Sequence, residues 1–267
     1  MSKRIGYYPN ADLSALNISD SEINSSGLFD GCKIVLYASA SSSSLSTVAL
    51  DASDPTSPRL IKEDLNEDKK DKYIFNVIKS KSGNGYVLQA SSGGWYITGT
   101  PQATVIGTKD VSGVWRFIHV GGKSSITCKI QLVTTDNKMA VLAERGDYIN
   151  ITQTEDGSNT EWNIGFIDFG PKAFKALLPK NKFLQTRCCK GTVSTALKSI
   201  CGSGKIYTPG SSACKAISGP TPYFDIFDSS ERSLNVTDDS LGTTEILLGL
   251  GIILLIGISI YIVTRTK

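Results

Sequence analysis

Val114-Trp115-Arg116-Phe117-Ile118-His119-Val120 is the stretch whose reading decides the fold. In an extended chain its rings alternate: Trp115, Phe117 and His119 share one face, Arg116 and Ile118 the other. The pattern recurs. Tyr73-Ile74-Phe75-Asn76-Val77 and Trp162-Asn163-Ile164-Gly165-Phe166 have the same shape, at steps of 42 (115 − 73) and 47 (162 − 115) residues. A period of that size marks a repeated supersecondary unit.

Other strands fall into register with this one. Upstream of each aromatic stretch lies an apolar one: Lys33–Ser39, Gly85–Ser91 and Lys129–Thr135, with Leu36, Leu88 and Leu132 aligned. A second strand follows each, at Thr47–Leu50, Trp95–Thr98 and Met139–Leu142. A third follows those, at Arg59–Lys62, Ala103–Ile106 and Tyr148–Ile151. Turn chemistry separates them, as in Asn84-Gly85, Ser92-Gly93-Gly94 and Gly146-Asp147. Four short strands in each of three units of roughly 40 residues predict a mainly β, closed fold. The pattern resembles the β-trefoil family over residues 28–168. The resemblance implies three units around a pseudo-threefold axis, closing a small barrel capped by hairpins. A β-sandwich with coincidental spacing is the competing architecture. Trp115 and Trp162 are expected to be core plugs.

The chain has 267 residues and a net charge of +3, with 40% hydrophobic and 20% charged residues, ordinary for a globular protein. The charge is unevenly spread. Between Asp168 and Asp225 there is no acidic residue. That span carries Lys172, Lys175, Lys180, Lys182, Arg187, Lys190, Lys198, Lys205 and Lys215. From Asp225 the sign reverses, with Asp228, Glu231, Asp238, Asp239 and Glu245 against only Arg232.

These shifts divide the chain. Residues 1–27 hold no apolar run of signal-peptide length and are expected to be an extended arm. The β head follows, with a serine-rich hairpin tip at Ser39–Ser46 and a mixed-charge insertion from Asp51 to Asp71, read as solvated surface. Residues 169–224 are predicted to form a basic, cysteine-containing neck with short helices over Pro171–Leu178 and Val193–Ile200. Residues 225–245 are an acidic polar stalk that buries too little to fold alone. Ile246 to Val263 is an uncharged apolar run. As a helix its 18 residues would be about 27 Å long, close to a hydrocarbon core of roughly 30 Å. It predicts a single membrane-spanning anchor, followed by a basic tail at residues 264–267. The tail favours the cytoplasmic side and would place the head across the membrane. The missing signal peptide favours the opposite arrangement.

Cys32 and Cys128 share one register, just before the first strand of units one and three. They either pair across the barrel end or are two small buried residues. Cys188, Cys189, Cys201 and Cys214 read as two disulfides, with Cys188 and Cys189 each reaching to Cys201 or Cys214 in one of two pairings. Zinc is disfavoured, because the spacing lacks a Cys-x2-Cys knuckle. Sequons stand at Asn17, Asn24, Asn150 and Asn235. Gly121-Gly122-Lys123-Ser124 and Gly202-Ser203-Gly204-Lys205 imitate phosphate loops, but Phe117 and Ser199 occupy the positions where the first glycine must stand. The lone His119 has no second histidine, nucleophile elbow or metal set around it in the sequence. No enzyme, metal, cofactor or small-molecule substrate is expected.

The run Cys188-Cys189-Lys190-Gly191, Cys201-Gly202 and Tyr207–Cys214 resembles the juxtamembrane module of virion membrane proteins in the iridoviruses and their relatives. It departs from that pattern in having no cysteine after Cys214. The resemblance implies a virion with a membrane beneath an icosahedral shell, and viral thiol oxidation in the cytosol. The expected function is therefore structural: a single-pass protein of a large DNA virus that links the internal viral membrane to the capsid shell. Its partners would be the lipid bilayer and capsid or other virion proteins. The alternative is a membrane-anchored lectin for attachment or entry. Against that, ricin-type trefoils carry Gln-x-Trp, whereas Gly113 and Thr160 precede Trp115 and Trp162 here. The basic neck (Lys172, Lys175, Lys180, Lys182, Arg187 and Lys190) is expected to meet anionic lipid headgroups or a partner, with nucleic acid less favoured.

Overall fold

The computed structural model describes Leu13 and residues 17–38, 46–56, 58–99, 105–109, 113–123, 125–134, 140–153, 158–203 and 205–217. The chain divides into Met1–Leu234 and Asn235–Lys267, and every described residue lies in the first. The expected stalk, the apolar run 246–263 and the tail 264–267 lie outside the described residues. Among the described residues no helix is long and apolar enough to cross a membrane.

Alternating apolar and polar residues build twelve strands: β1 (Lys33–Ala38), β2 (Ser46–Asp51), β3 (Arg59–Asp64), β4 (Phe75–Lys79), β5 (Tyr86–Ala90), β6 (Tyr96–Gly99), β7 (Val105–Thr108), β8 (Trp115–His119), β9 (Thr127–Leu132), β10 (Val141–Arg145), β11 (Tyr148–Thr152) and β12 (Trp162–Asp168). Six of them close a ring of antiparallel pairs, β1–β4, β4–β5, β5–β8, β8–β9, β9–β12 and β12–β1. The other six form three hairpins, β2–β3, β6–β7 and β10–β11. The hairpins meet one another where Arg59 pairs with Ile106 and Ile61 with Tyr148. Each unit thus gives two strands to the barrel and one hairpin to its cap. This arrangement is a β-trefoil, in which every barrel strand has a neighbour on both sides.

The barrel interior is filled by every second residue of its strands, including Leu36, Val77, Leu88, Phe117, Ile130 and Ile164. Trp115 and Trp162 are fully buried plugs, and each indole N–H donates within its own unit, to Ile97 O at 2.9 Å and Leu142 O at 3.1 Å. In the first unit the residue in their register is Phe75, which faces Ala90 as Trp115 faces Leu132 and Trp162 faces Ala38, and not the expected Tyr73. Tyr73 ends a kinked 3₁₀ segment, Glu67–Tyr73, rather than opening a strand, and β4 starts two residues later than the aromatic alignment places it. Its hydroxyl accepts from Asn66 N at 2.9 Å and donates to Asp64 O at 3.2 Å. Its ring belongs to a smaller second cluster with Val35, Tyr37, Ala49 and Ile74.

The expected extended arm is corrected over residues 20–26. There the chain forms α1 (Asp20–Ser26), started by a capping box between Ser19 and Glu22 and stopped by Gly27 in the left-handed conformation. This helix closes one end of the barrel. Asn24 donates to Phe117 O and accepts from Phe117 N, both at 2.8 Å, filling the free edge of that peptide unit. Asp20 accepts from His119 N at 2.8 Å. Phe29 follows and packs edge-on against Phe117, with ring centroids 5.2 Å apart.

The neck is not a separate domain. It contains α2 (Pro171–Leu177), α3 (Lys182–Lys190), α4 (Thr195–Ser203) and α5 (Ser212–Ile217), twice the number of helices expected. Phe169, Phe174, Leu184 and Leu197 belong to the same buried cluster as the barrel interior. The junction is tight. Phe169 stacks on Phe166 at 4.7 Å, and a Cβ on Gly170 would overlap the Asp30 carbonyl.

Candidate functional site

The second unit presents an aromatic and polar turn between β5 and β6. Ser91-Ser92-Gly93-Gly94-Trp95 reverses the chain, and Gly93 and Gly94 have φ of 66° and 65°. Those left-handed angles favour glycine and set Trp95 at the surface end of the strand pair. Trp95 is half-buried, with one part against the main core and the rest open. The Lys109 ammonium stands 4.0 Å from the ring centroid and also donates to Gly93 O. The Gln89 amide donates to Gly94 O at 3.3 Å, opposite Tyr96 in the strand register. Gln89 and Tyr96 are both half-exposed. The result is a partly open indole beside an ammonium, on a turn whose backbone the Gln89 amide holds.

A cleft of about 700 Å³ reaches the same turn at Ser92. Its other walls come from the first unit, including Asp51, Ser53, Ile61, Glu63 and Lys72. Of its charged residues, Asp51, Glu63 and Lys72 enter ion pairs, and Lys69, Lys70 and Asp71 line it as well. Glu63 pairs with Lys72. Asp51 is held below the usual carboxylate range, first by the Ser53 hydroxyl and backbone N–H, with Arg59 adding to it from 3.8 Å. A half-open aromatic ring on a turn that borders a polar cleft through Ser92 suits a hydroxyl-rich ligand, whose C–H faces stack on the ring and whose hydroxyls reach the polar groups.

The sequence-predicted residues fall elsewhere. Cys188 bonds Cys201 and Cys189 bonds Cys214, which chooses one of the two pairings the spacing left open. Both bridges tie α3, one to α4 and one to α5. Cys32 and Cys128 do not pair; each is a buried free thiol. Cys32 Sγ accepts the Gly170 N–H at 3.2 Å, and burial raises its thiol to about 12. Of the basic neck, Lys175, Lys180, Lys182 and Lys190 are exposed. Lys172 and Arg187 serve the fold instead. Lys172 donates to Ser26 O, while Arg187 donates to Thr192 O and stands 5.7 Å over the Phe183 ring. The anchor, Ile246 to Val263, lies outside the described residues.

His119 is half-buried at the rim, where its Nε2 accepts from Leu13 N at 3.4 Å. The Asn24 sequon is closed to modification in the folded chain, because the side chain is buried and bonded to Phe117. Gly121-Gly122 is the turn of the β8–β9 hairpin, and Gly202-Ser203 is the end of α4. Among the described residues no group of His, Cys, Asp and Glu could hold a metal ion.

No family model and no curated protein matches this chain. Solved structures do. A ricin B-like lectin of Macrolepiota procera, in complex with lactose, is 16% identical over 51% of this chain and 96% of its own, with a TM-score of 0.41. A structure described as BEL beta-trefoil is 16% identical over 51% of this chain and 94% of its own, at 0.40. Polyporus squamosus lectin bound to a sialylated epitope is 11% identical over 66% of this chain and 75% of its own, at 0.42. The trefoil assignment rests on the strand pairing described above.

The sequence placed the Ser92-Gly93-Gly94 turn but did not mark Trp95 as a site residue. Trp95 sits in a strand by pattern, and its exposure depends on a glycine turn whose geometry no spacing encodes. The available signal was the polar set Gln89, Ser91 and Ser92 just before the tryptophan.

Proposed function

We propose that this protein is a non-enzymatic, membrane-tethered binding protein whose β-trefoil head takes a carbohydrate at the β5–β6 turn. The observation that carries the reading is Trp95. It is a half-open indole beside Lys109, on a turn whose Ser92 lines a polar cleft. The site lies in a different place from the Gln-x-Trp of ricin-type trefoils. Residues 246–263 are the tether in this reading. A glycan array probed with the full-length protein in detergent micelles tests it. Selective binding that Trp95→Ala abolishes is expected; an array without selective binding, or binding indifferent to Trp95→Ala, would overturn it.

A second reading is favoured by the neck. Two disulfides brace helices that share the barrel core, so the head and neck form one stiff body. That suits a mechanical link between an internal viral membrane and a capsid shell, with capsid proteins as partners of the head. Cross-linking in intact particles would support this reading by joining the head to a shell protein, and its absence would remove it.

A further inference from the structure

We propose that the outer surface of the neck docks on an anionic lipid bilayer. The neck lacks any acidic residue from Gly170 to Ile217, yet carries nine basic ones. Helices α2 and α3 turn Phe174, Leu177, Phe183 and Leu184 into the core, so their lysines face away from it. Lys175, Lys180, Lys182, Lys190, Lys198 and Lys215 are exposed. Among the described residues none of them enters an ion pair.

A second observation distinguishes lipid from a purely polyanionic partner. Ile206, between α4 and α5, is 54% exposed, the most open large apolar side chain among those described. Exposed basic side chains and an exposed apolar residue on one neck suit an interface in which headgroups meet the ammonium groups and the apolar side chain enters the acyl boundary. The chain supplies proximity. Only 28 residues (218 to 245) separate the neck from the apolar run. Fully extended they reach at most about 100 Å, which holds the neck near any bilayer the run enters. The proposal rests on the anchor reading for that proximity. Arg187 and Lys172 are not part of the surface, because both are bound to backbone carbonyls.

The test uses full-length protein in nanodiscs of phosphatidylcholine, with or without phosphatidylserine. Lysine acetylation is followed by mass spectrometry, with Lys33 of the head as reference. The six neck lysines should label several-fold more slowly in the phosphatidylserine discs. High salt should remove the difference, and the variant K180Q/K182Q with I206S should reduce it. Equal labelling in both discs would overturn the proposal. So would protection that duplex DNA confers and phosphatidylserine does not. Equal labelling that rises when the acids of 225–245 are neutralised would assign the lysines to that segment and also overturn it. If the protein does not enter discs, the anchor reading fails by itself. Selective sedimentation with phosphatidylserine vesicles would then still support the docking surface, and no sedimentation would overturn it.

Discussion

Asn24 shows how much one polar side chain can hold. Its amide makes both hydrogen bonds that a neighbouring strand would offer to Phe117, in a buried position. Asn24→Ala strands a buried N–H and a buried C=O, and each costs about 1–3 kcal/mol. A loss of about 2–6 kcal/mol is expected in urea denaturation, with α1 the first element to exchange amide hydrogens. Cys32 carries a pH signature. Burial is the main cause of its raised pKa, about 12 against an ordinary 9.0. The stability it contributes is complete below pH 9.0 and is lost as pH rises toward 12, since only the unfolded chain ionises freely in between. Burial raises Cys128 in the same direction, and it raises Tyr73 to about 12. Denaturation midpoints should fall as pH rises from 9 toward 12, and Cys32→Ala should flatten that fall. A pH-independent midpoint would contradict the burial of these groups.

Among the elements, the barrel strands were the most legible in the sequence. A half-buried strand places alternate residues on opposite faces, so the apolar face of each strand was legible but its register was not: Leu36 and Leu88 face Ile164 and Val77, and their counterpart, facing Phe117, is Ile130 and not the expected Leu132. The less regular elements were not. Tyr73 shares the composition of Trp115 and Trp162 but belongs to a 3₁₀ segment, because the charged insertion before it alters the approach to β4. α1 left a local signal, the Ser19 and Glu22 capping box, that a search for apolar runs passes over. α3, which was not among the expected helices, begins at an Asn181 cap two residues after Pro179. Disulfide pairing was limited to two choices by sequence and decided by helix packing. The bridges close spans of 13 and 25 residues, which corresponds to about 3 kcal/mol each from loop entropy. Reduction should therefore loosen the neck before the barrel. Trypsin should cut at Lys190 and Lys198 of the reduced protein while the head stays whole. Simultaneous loss of the head would mean that the shared core, rather than the bridges, holds the neck.

At the scale of the whole molecule, repetition gives the head its shape and departure from repetition gives it a candidate site. Three units supply equivalent barrel strands, but the described turn with Gln89, Trp95 and Tyr96 belongs to the second. The period could be read from the chain; which turn exposes a ring could not, because exposure is set by packing between units. Trp115 and Trp162 are 0% and 1% exposed, so a ligand-dependent change in tryptophan emission should come from Trp95. The most direct measurement is a fluorescence titration of the full-length protein with the strongest glycan from the array, in parallel with Trp95→Ala. A saturating change in the parent, absent from a variant with the same denaturation midpoint, is the expected result; an unchanged emission while the glycan binds would contradict a site at this turn.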